Sequence, residues 1–546
     1  MRHACIAAIL ILPAFAPAFA QDRPDLTVVD RIKTEAFDRS KVMDTLYQIT
    51  EARGPRLTAS PQFDNAAAWT VSQLREYGLQ NVHLEKWGPF GRSWSLEQSS
   101  LELLEPGYQP LEAIPLAWST STNGAVTADL VIAPWKISMR DGPKKAREDL
   151  DVYEATWTGK LRGKIVLLSD AKIPRPATAA PFTRFTEAQL HDIGSAPDPA
   201  VRKQVKNLTD LEWPTSPEEL TAFLRSLPAA VMDQVYDLSD SIRKERAAFF
   251  SKEGAVALLL DDTRSHDGRL FAEQAGPWKA SDAQAPPTFV ITAEQYDRVA
   301  RAVERKLPVR VRLNLKAQAS AQDVMAANIV GEIPGQEKKD EIVMIGAHFD
   351  SWHSGTGTTD NGAGSAVMVE VTRILTSLKL KMDRSVRIAL WSGEEQGLLG
   401  SKAYVKEHFA DPRTMHLTTE HARISGYFNL DNGSGKIRGV FLQGHDAMRP
   451  VFESWLAPFR DMGVSTISIR DTGGTDHLSF NAVGIPGFQF IQDPLDYSTV
   501  THHSNMDTYD HAIPEDLMQA SAVIASVVYD AANRKEMLPR RALPTP

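Results

Sequence analysis

Hydrophobic and polar positions change rhythm twice along the chain. Between Lys41 and Tyr77, apolar residues recur at helical spacing in VMDTLYQITEA and FDNAAAWTVSQLREYGL, the second closing at Gly78. From about Trp94 to Leu315 the texture is of short apolar runs (ADLVIA, GKIVLLSD, AVALLLDD, TFVITAEQ) that predict strands. Within that stretch, Pro174 to Lys252 reads as a proline-rich loop followed by helices. SPEELTAFLRSL there opens on an N-cap serine with proline in the first turn. From Met325 onward strands alternate with helices. EIVMIGAHFD, SVRIALWSGEE, RISGYFNLDN and IPGFQFIQD are strand-like. NGAGSAVMVEVTRILTSL, LLGSKAYVKEHF, AMRPVFESWLAPFRDM and EDLMQASAVIASVVYDAAN are helix-like. That alternation predicts an α/β fold, a mixed and mostly parallel sheet sandwiched by helices. Residues 21–93 and 325–546 are then two parts of one domain, and 94–324 is an insertion carrying its own helical segment around 174–252.

Composition narrows the class. Over 546 residues, 42% hydrophobic and 24% charged positions are those of an ordinary globular protein. A net charge of −9 argues against a nucleic-acid partner. Arg2, an apolar run from Ala4 to about Phe15, and Ala18-Phe19-Ala20 before Gln21 form a secretory leader, residues 1–20, cleaved near Ala20-Gln21. The expectation is therefore a secreted or periplasmic protein. No other segment is long and apolar enough for a stable membrane span. The one cysteine, Cys5, lies in the leader, so the mature chain holds no thiol and any metal must be bound by His, Asp and Glu.

Those residue types collect in one place. In open α/β sheets, sites form beyond the carboxyl ends of the strands. His348 and Asp350 end one predicted strand, Glu394 and Glu395 the next, and Asp431 a third. Asp360 lies in the loop opening a helix, and His503 in HHSNMDTYD after the last strand. Singly, each has a plain structural reading, such as a helix cap for Asp360 or a turn at Asp431-Asn432-Gly433. Together on one sheet edge they predict a metal site. Nitrogen and oxygen donors without thiolate suit Zn2+, with Co2+ or Mn2+ as substitutes. A bridging carboxylate can hold two cations at the separation hydrolytic sites use. With Asp360 as the bridge, Glu395 and His503 would serve one ion and His348 and Asp431 the other. Asp350 is placed to orient the His348 imidazole, and Glu394, left without a metal, to move the proton. His477, His353, His502 and Tyr497 flank these positions; Tyr497 could donate to an oxyanion.

GAHFDSW, TTDNGAGSAVMVE, WSGEEQGLLGS, FNLDNGSG, GGTDHLSF and HHSNMDTYD, in that order, resemble the co-catalytic di-zinc aminopeptidase and carboxypeptidase family, with the wording of its plasma glutamate carboxypeptidase-like members. The resemblance covers about Ala347 to Asp510. It implies a zinc exopeptidase fold, two Zn2+ per chain, and a peptide substrate. It further implies that Asp360 bridges the ions, with a cis peptide at Asp360-Asn361, that Glu394 is the base, and that Glu395 is a ligand. Of His502 and His503, it assigns the ligand role to His503. Residues 94–324 are similar to an inserted, β-rich protease-associated domain. The expected activity is hydrolysis of terminal peptide bonds, aminopeptidase first, with carboxypeptidase or dipeptidase as alternatives. A non-catalytic binding protein and a glutaminyl-cyclase-like acyltransferase are the distant ones.

Overall fold

The computed structural model describes residues 22–172, 180–199, 207–208, 211–214, 216, 219–220, 223–224, 227, 229–262 and 264–543. The expected leader and its cleavage point lie outside them, as does much of the helix expected at SPEELTAFLRSL. No helix among the described residues is long and apolar enough to cross a membrane.

Eight strands form the main sheet. Four parallel ones make its centre, in the order Arg384–Trp391, Lys338–His348, Ile424–Asn429, Gly487–Gln492. Alternation along these strands serves both faces. Val343, Ile345 and Ala347 turn to one core, and Ile342 and Met344 to the other. The first core packs the helices Leu26–Asp38, Val42–Ile49, Ala363–Ser377 and Pro514–Asn533. The second packs Leu399–His408 through Tyr404 and Val405, and His477–Asn481 through Phe480. Each fully buried aliphatic or aromatic side chain there contributes about 1.5–3 kcal/mol. Pro514 in the first turn and Glu515 and Asp516 beside it suit the start of the last helix, because the positive end of the dipole lies there. The short strands Ile437–Phe441 and Thr466–Ser468 and the helix Leu26–Asp38 went unread in the sequence pattern, and AMRPVFESWLAPFRDM changes from α to 3-10 geometry at Ala457.

The chain leaves this sheet at Gly91 and returns at Val324, where Gln80–Gly91 and Val324–Ile333 pair antiparallel. Between them a second eight-stranded sheet forms. Its strands Val126–Ile132, Ile165–Leu167, Ala257–Leu260 and Thr288–Ile291 run parallel. Parallel neighbours need long crossovers, and the helices Pro143–Trp157 and Ala229–Glu253 lie in them. Aromatic rings fill the junction of the two sheets: Phe90 stacks on Trp278 at 5.8 Å, and Trp118 meets Trp352 edge-on at 6.1 Å. Within the 174–252 segment, residues 181–199 lie along the main sheet. Arg184 bonds Asp493 at 2.9 Å and Asp516 at 2.7 Å.

Candidate metal centre

The register of the central strands decides which residues meet. His348 stands opposite Trp391, and Gly346 opposite Asn429. The residues just past these strand ends therefore share one edge. His348 is the last residue of its strand, and Asp431 follows Asn429 by two. After Trp391 the chain departs from the strand: Gly393 has φ +71, and a Cβ there would lie 2.9 Å from the Trp87 ring. That turn brings Glu394 and Glu395 to the same site, which a regular strand would forbid.

His348 Nε2 lies 3.2 Å from Asp360 Oδ1 and 3.3 Å from Asp431 Oδ1. His503 Nε2 lies 3.2 Å from Asp360 Oδ2 and 3.0 Å from Glu395 Oε2. Asp360 thus offers one oxygen to each side. All five expected ligands are brought together. His502 Nε2 is 3.8 Å from Asp360 Oδ2, within reach of an ion but farther than His503, and its ring stacks on that of His503 at 3.8 Å. The Asp360-Asn361 peptide is cis.

These residues fit divalent cations. Bonds of about 2.0–2.2 Å in tetrahedral array separate ligand atoms by about 3.3–3.6 Å, close to the separations here. Asp360 Oδ2 and Glu395 Oε1 are buried and make no hydrogen bond. The charge balance agrees. Burial favours neutral imidazoles, yet surrounding carboxylates raise His348 and His503 well above the ordinary histidine value. Burial, with Asp431, Asp476 and Glu395 adding to it, raises Glu394 well above the carboxylate range. Glu395 is pushed up to about 7 by burial and Asp360. Burial also opposes ionisation of Asp360, but the neighbouring imidazoles of His348 and His503 hold it well below its usual value. So much negative charge in a dry site calls for cations.

Asp350 acts differently from expectation. Its main-chain carbonyl, at 3.0 Å, meets His348 Nδ1, while the carboxylate stands 3.8 Å away. That carboxylate instead accepts from Thr58 Oγ1 at 2.8 Å, from the Glu394 amide at 3.3 Å and from the Glu395 amide at 3.4 Å. Thr58 in turn accepts from the Gly393 amide at 2.9 Å. Asp350 therefore shapes the turn that presents the two glutamates. His353, half-buried, and His477, buried, bond the main-chain oxygens of Pro115 and Thr472, at 2.7 and 3.2 Å. Tyr497 packs its ring edge-on to His502 at 4.9 Å, and burial among carboxylates keeps its hydroxyl protonated.

Four contributors escaped the sequence reading. Asp507 accepts from the amides of Thr359, at 2.5 Å, and Asp360, at 3.2 Å, and so sets the position of Asp360; its place in HHSNMD was the available signal. Asp476, in GGTDH beside His477, is buried with both oxygens unpaired, and burial lifts it to about 7. Arg56 is wholly buried beneath the loop after His348. Glu273, from the inserted sheet region, bonds His503 Nδ1 at 2.9 Å. Neither of the last two lies near a recognisable motif.

Residues 328–528 match the model for peptidase family M28. Carboxypeptidase Q of Mus musculus is 24% identical over 518 residues, which cover 94% of this chain and 89% of that protein. The crystal structure of a Peptidase M28 precursor from Shewanella amazonensis SB2B superposes with a TM-score of 0.65 at 26% identity, covering 95% of this chain and 99% of that one. BSAP, a zinc aminopeptidase from Bacillus subtilis, shares the fold, with a TM-score of 0.55 at 22% identity, covering 91% and 95%.

Proposed function

We propose that this chain, a zinc-dependent peptidase with its M28 region at residues 328–528, is an exported di-zinc exopeptidase that releases residues from the N-terminal ends of peptides. The observation that carries the reading is Asp360, whose two oxygens face two separate donor sets, His348 with Asp431 and His503 with Glu395. Zinc ions held there would supply Lewis acidity toward the scissile carbonyl and toward water. Glu394, buried beside them without a ligand's place, takes the proton of the attacking water and returns it to the leaving amine nitrogen. Asp350 holds the Glu394 amide and, through Thr58, the Gly393 amide, and so keeps the Glu394 carboxylate directed at the reacting atoms. The Tyr497 hydroxyl remains a donor for the developing oxyanion.

The unpaired carboxyl of Asp476 adds to an acid-rich site, which favours a substrate's free ammonium over a free carboxylate. Likeness to carboxypeptidase Q over nearly the whole chain favours a second reading, release from the C-terminal end. Export rests on the leader at 1–20, and the second sheet region is read as a protease-associated-type insertion at 94–324. Peptides with free, N-blocked and C-blocked ends, assayed with and without chelator, test the function. Cleavage lost on N-blocking and on chelation is expected. Cleavage lost on C-blocking instead gives the second reading, and cleavage indifferent to chelator sinks both.

A further inference from the structure

One imidazole of the centre is backed from within its own sheet and the other from outside it. His348 Nδ1 meets a main-chain carbonyl, that of Asp350, at 3.0 Å. His503 Nδ1 meets a carboxylate, Glu273, at 2.9 Å, and Glu273 belongs to the region inserted between Gly91 and Val324. The contact is part of a longer seam. Phe271 and Ser504 pair as an antiparallel bridge. The Ala272 amide donates to the His503 carbonyl at 3.2 Å, and the Asn505 amide to the Leu270 carbonyl at 2.9 Å. Asn505 Oδ1 accepts from the Leu270 amide at 2.9 Å, and Arg269 donates to the Thr499 carbonyl. Residues 269–273 thus run as an extra strand along the loop that carries His503.

The backbone at His503 needs this support. Its φ is +60, the left-handed region that a residue bearing a Cβ enters at a cost and keeps only when its surroundings impose it. The seam supplies main-chain bonds on both sides of that residue, and Glu273 fixes the ring. With a cation bound, Nδ1–H would donate to Glu273 and leave the lone pair of Nε2, which faces the Asp360 and Glu395 oxygens, for the ion. A carboxylate behind an imidazole makes it a stronger ligand than a neutral carbonyl does. Glu273 is itself steadied by Arg264, 3.5 Å away, whose guanidinium lies over the Phe271 ring at 4.2 Å.

We infer that Glu273 is a positioning residue of the metal centre, through which the inserted region orients His503 and so completes one of the two cation sites, that of His503 and Glu395. The inference rests on the two-cation reading of the same site. The experiment titrates zinc against a competing chelator in the full-length protein and in Glu273→Ala, Glu273→Gln and Glu273→Asp. Unfolding of each zinc-free protein is followed alongside. In Glu273→Ala one zinc ion should weaken by about 10–100-fold while the other keeps its affinity. The zinc-free unfolding midpoint should stay in place. Glu273→Gln keeps an acceptor without the charge and should fall between; Glu273→Asp should recover part of the loss. A merely structural role would lower the zinc-free midpoint and weaken both ions alike, which overturns the inference. So does a Glu273→Ala protein that binds both ions as the parent does. A parent protein that binds fewer than two ions overturns the two-cation reading, and this inference with it.

Discussion

Arg56 offers a test of how the sheet edge carrying the candidate metal centre is held. It is fully buried. Its Nε donates to the Phe349 carbonyl at 2.7 Å, Nη1 to those of Ile49 at 3.1 Å and Thr356 at 3.0 Å, and Nη2 to that of Gly357 at 2.8 Å. The guanidinium also lies over the Phe349 ring at 5.5 Å. One side chain therefore ties the end of the helix Val42–Ile49 to both ends of the loop 349–357, which carries Asp350 and leads into Asp360. Burial lowers Arg56 to about 10, against the pull of Asp507, Asp350, Asp360 and Glu395, so it stays charged at neutral pH. Arg56→Met keeps the length and removes every donor. Hydrogen bonds from a charged group contribute about 1.5–3 kcal/mol each, but they are not additive, and the variant no longer buries a charge. Removing one partner from a buried charged network costs about 3–5 kcal/mol net, and that is the expected loss. Arg56→Lys keeps the charge without the planar fork and should lose roughly half as much. Urea unfolding followed by tryptophan fluorescence, with chelator present so that ion binding does not stabilise the folded state, measures both. A loss below about 1 kcal/mol in Arg56→Met would falsify the claim that the guanidinium holds this loop.

Glu394→Gln should leave the zinc content unchanged and lower turnover by about 10²–10⁴-fold, read from metal analysis and peptide hydrolysis; near-parental turnover would remove Glu394 from the proton's path. Gly346→Ala would place a Cβ 2.4 Å from the Ala389 carbonyl oxygen and 2.7 Å from the Tyr427 hydroxyl, in the strand that ends at His348. Overpacking of that kind costs about 1–3 kcal/mol, and an unchanged urea midpoint would contradict it. His408 bonds Glu85 at 2.8 Å and Glu420 at 3.2 Å; the Glu85 bond raises its pKa, against burial, with Glu420 adding. A raised folded-state value means stability that is fully present below about pH 6.5, the unfolded value, and lost as pH climbs through the folded one. His408→Gln should therefore cost more stability near pH 5.5 than near pH 8.5, and an equal cost at both would rule out the charged pair.

The parallel sheet and the edge that gathers these side chains were legible because they rest on local signals. Alternating strands and helices imply a parallel sheet, and a parallel sheet puts all its carboxyl ends on one side. His348, Asp360, Glu394, Glu395, Asp431 and His503 could thus be gathered without knowing any contact. Asp350 lies beside His348, but its carbonyl rather than its carboxylate makes the bond. Its carbonyl and carboxylate lie on one residue, and only the path of the loop decides which of them meets His348. The short apolar strands of the second sheet were legible too; their parallel order is a matter of pairing.

The sequence by itself determined which donors are available, the absence of thiol from residues 21–546, and the order in which the candidate ligands reach the sheet edge. These follow from residue type and short-range periodicity. Tertiary structure decided what steadies those donors. Arg56 reaches carbonyls about 300 residues away, and Glu273 meets His503 across 230 residues of chain. No local pattern encodes such partners, because the burial that makes each bond strong arises only when distant segments have already packed together.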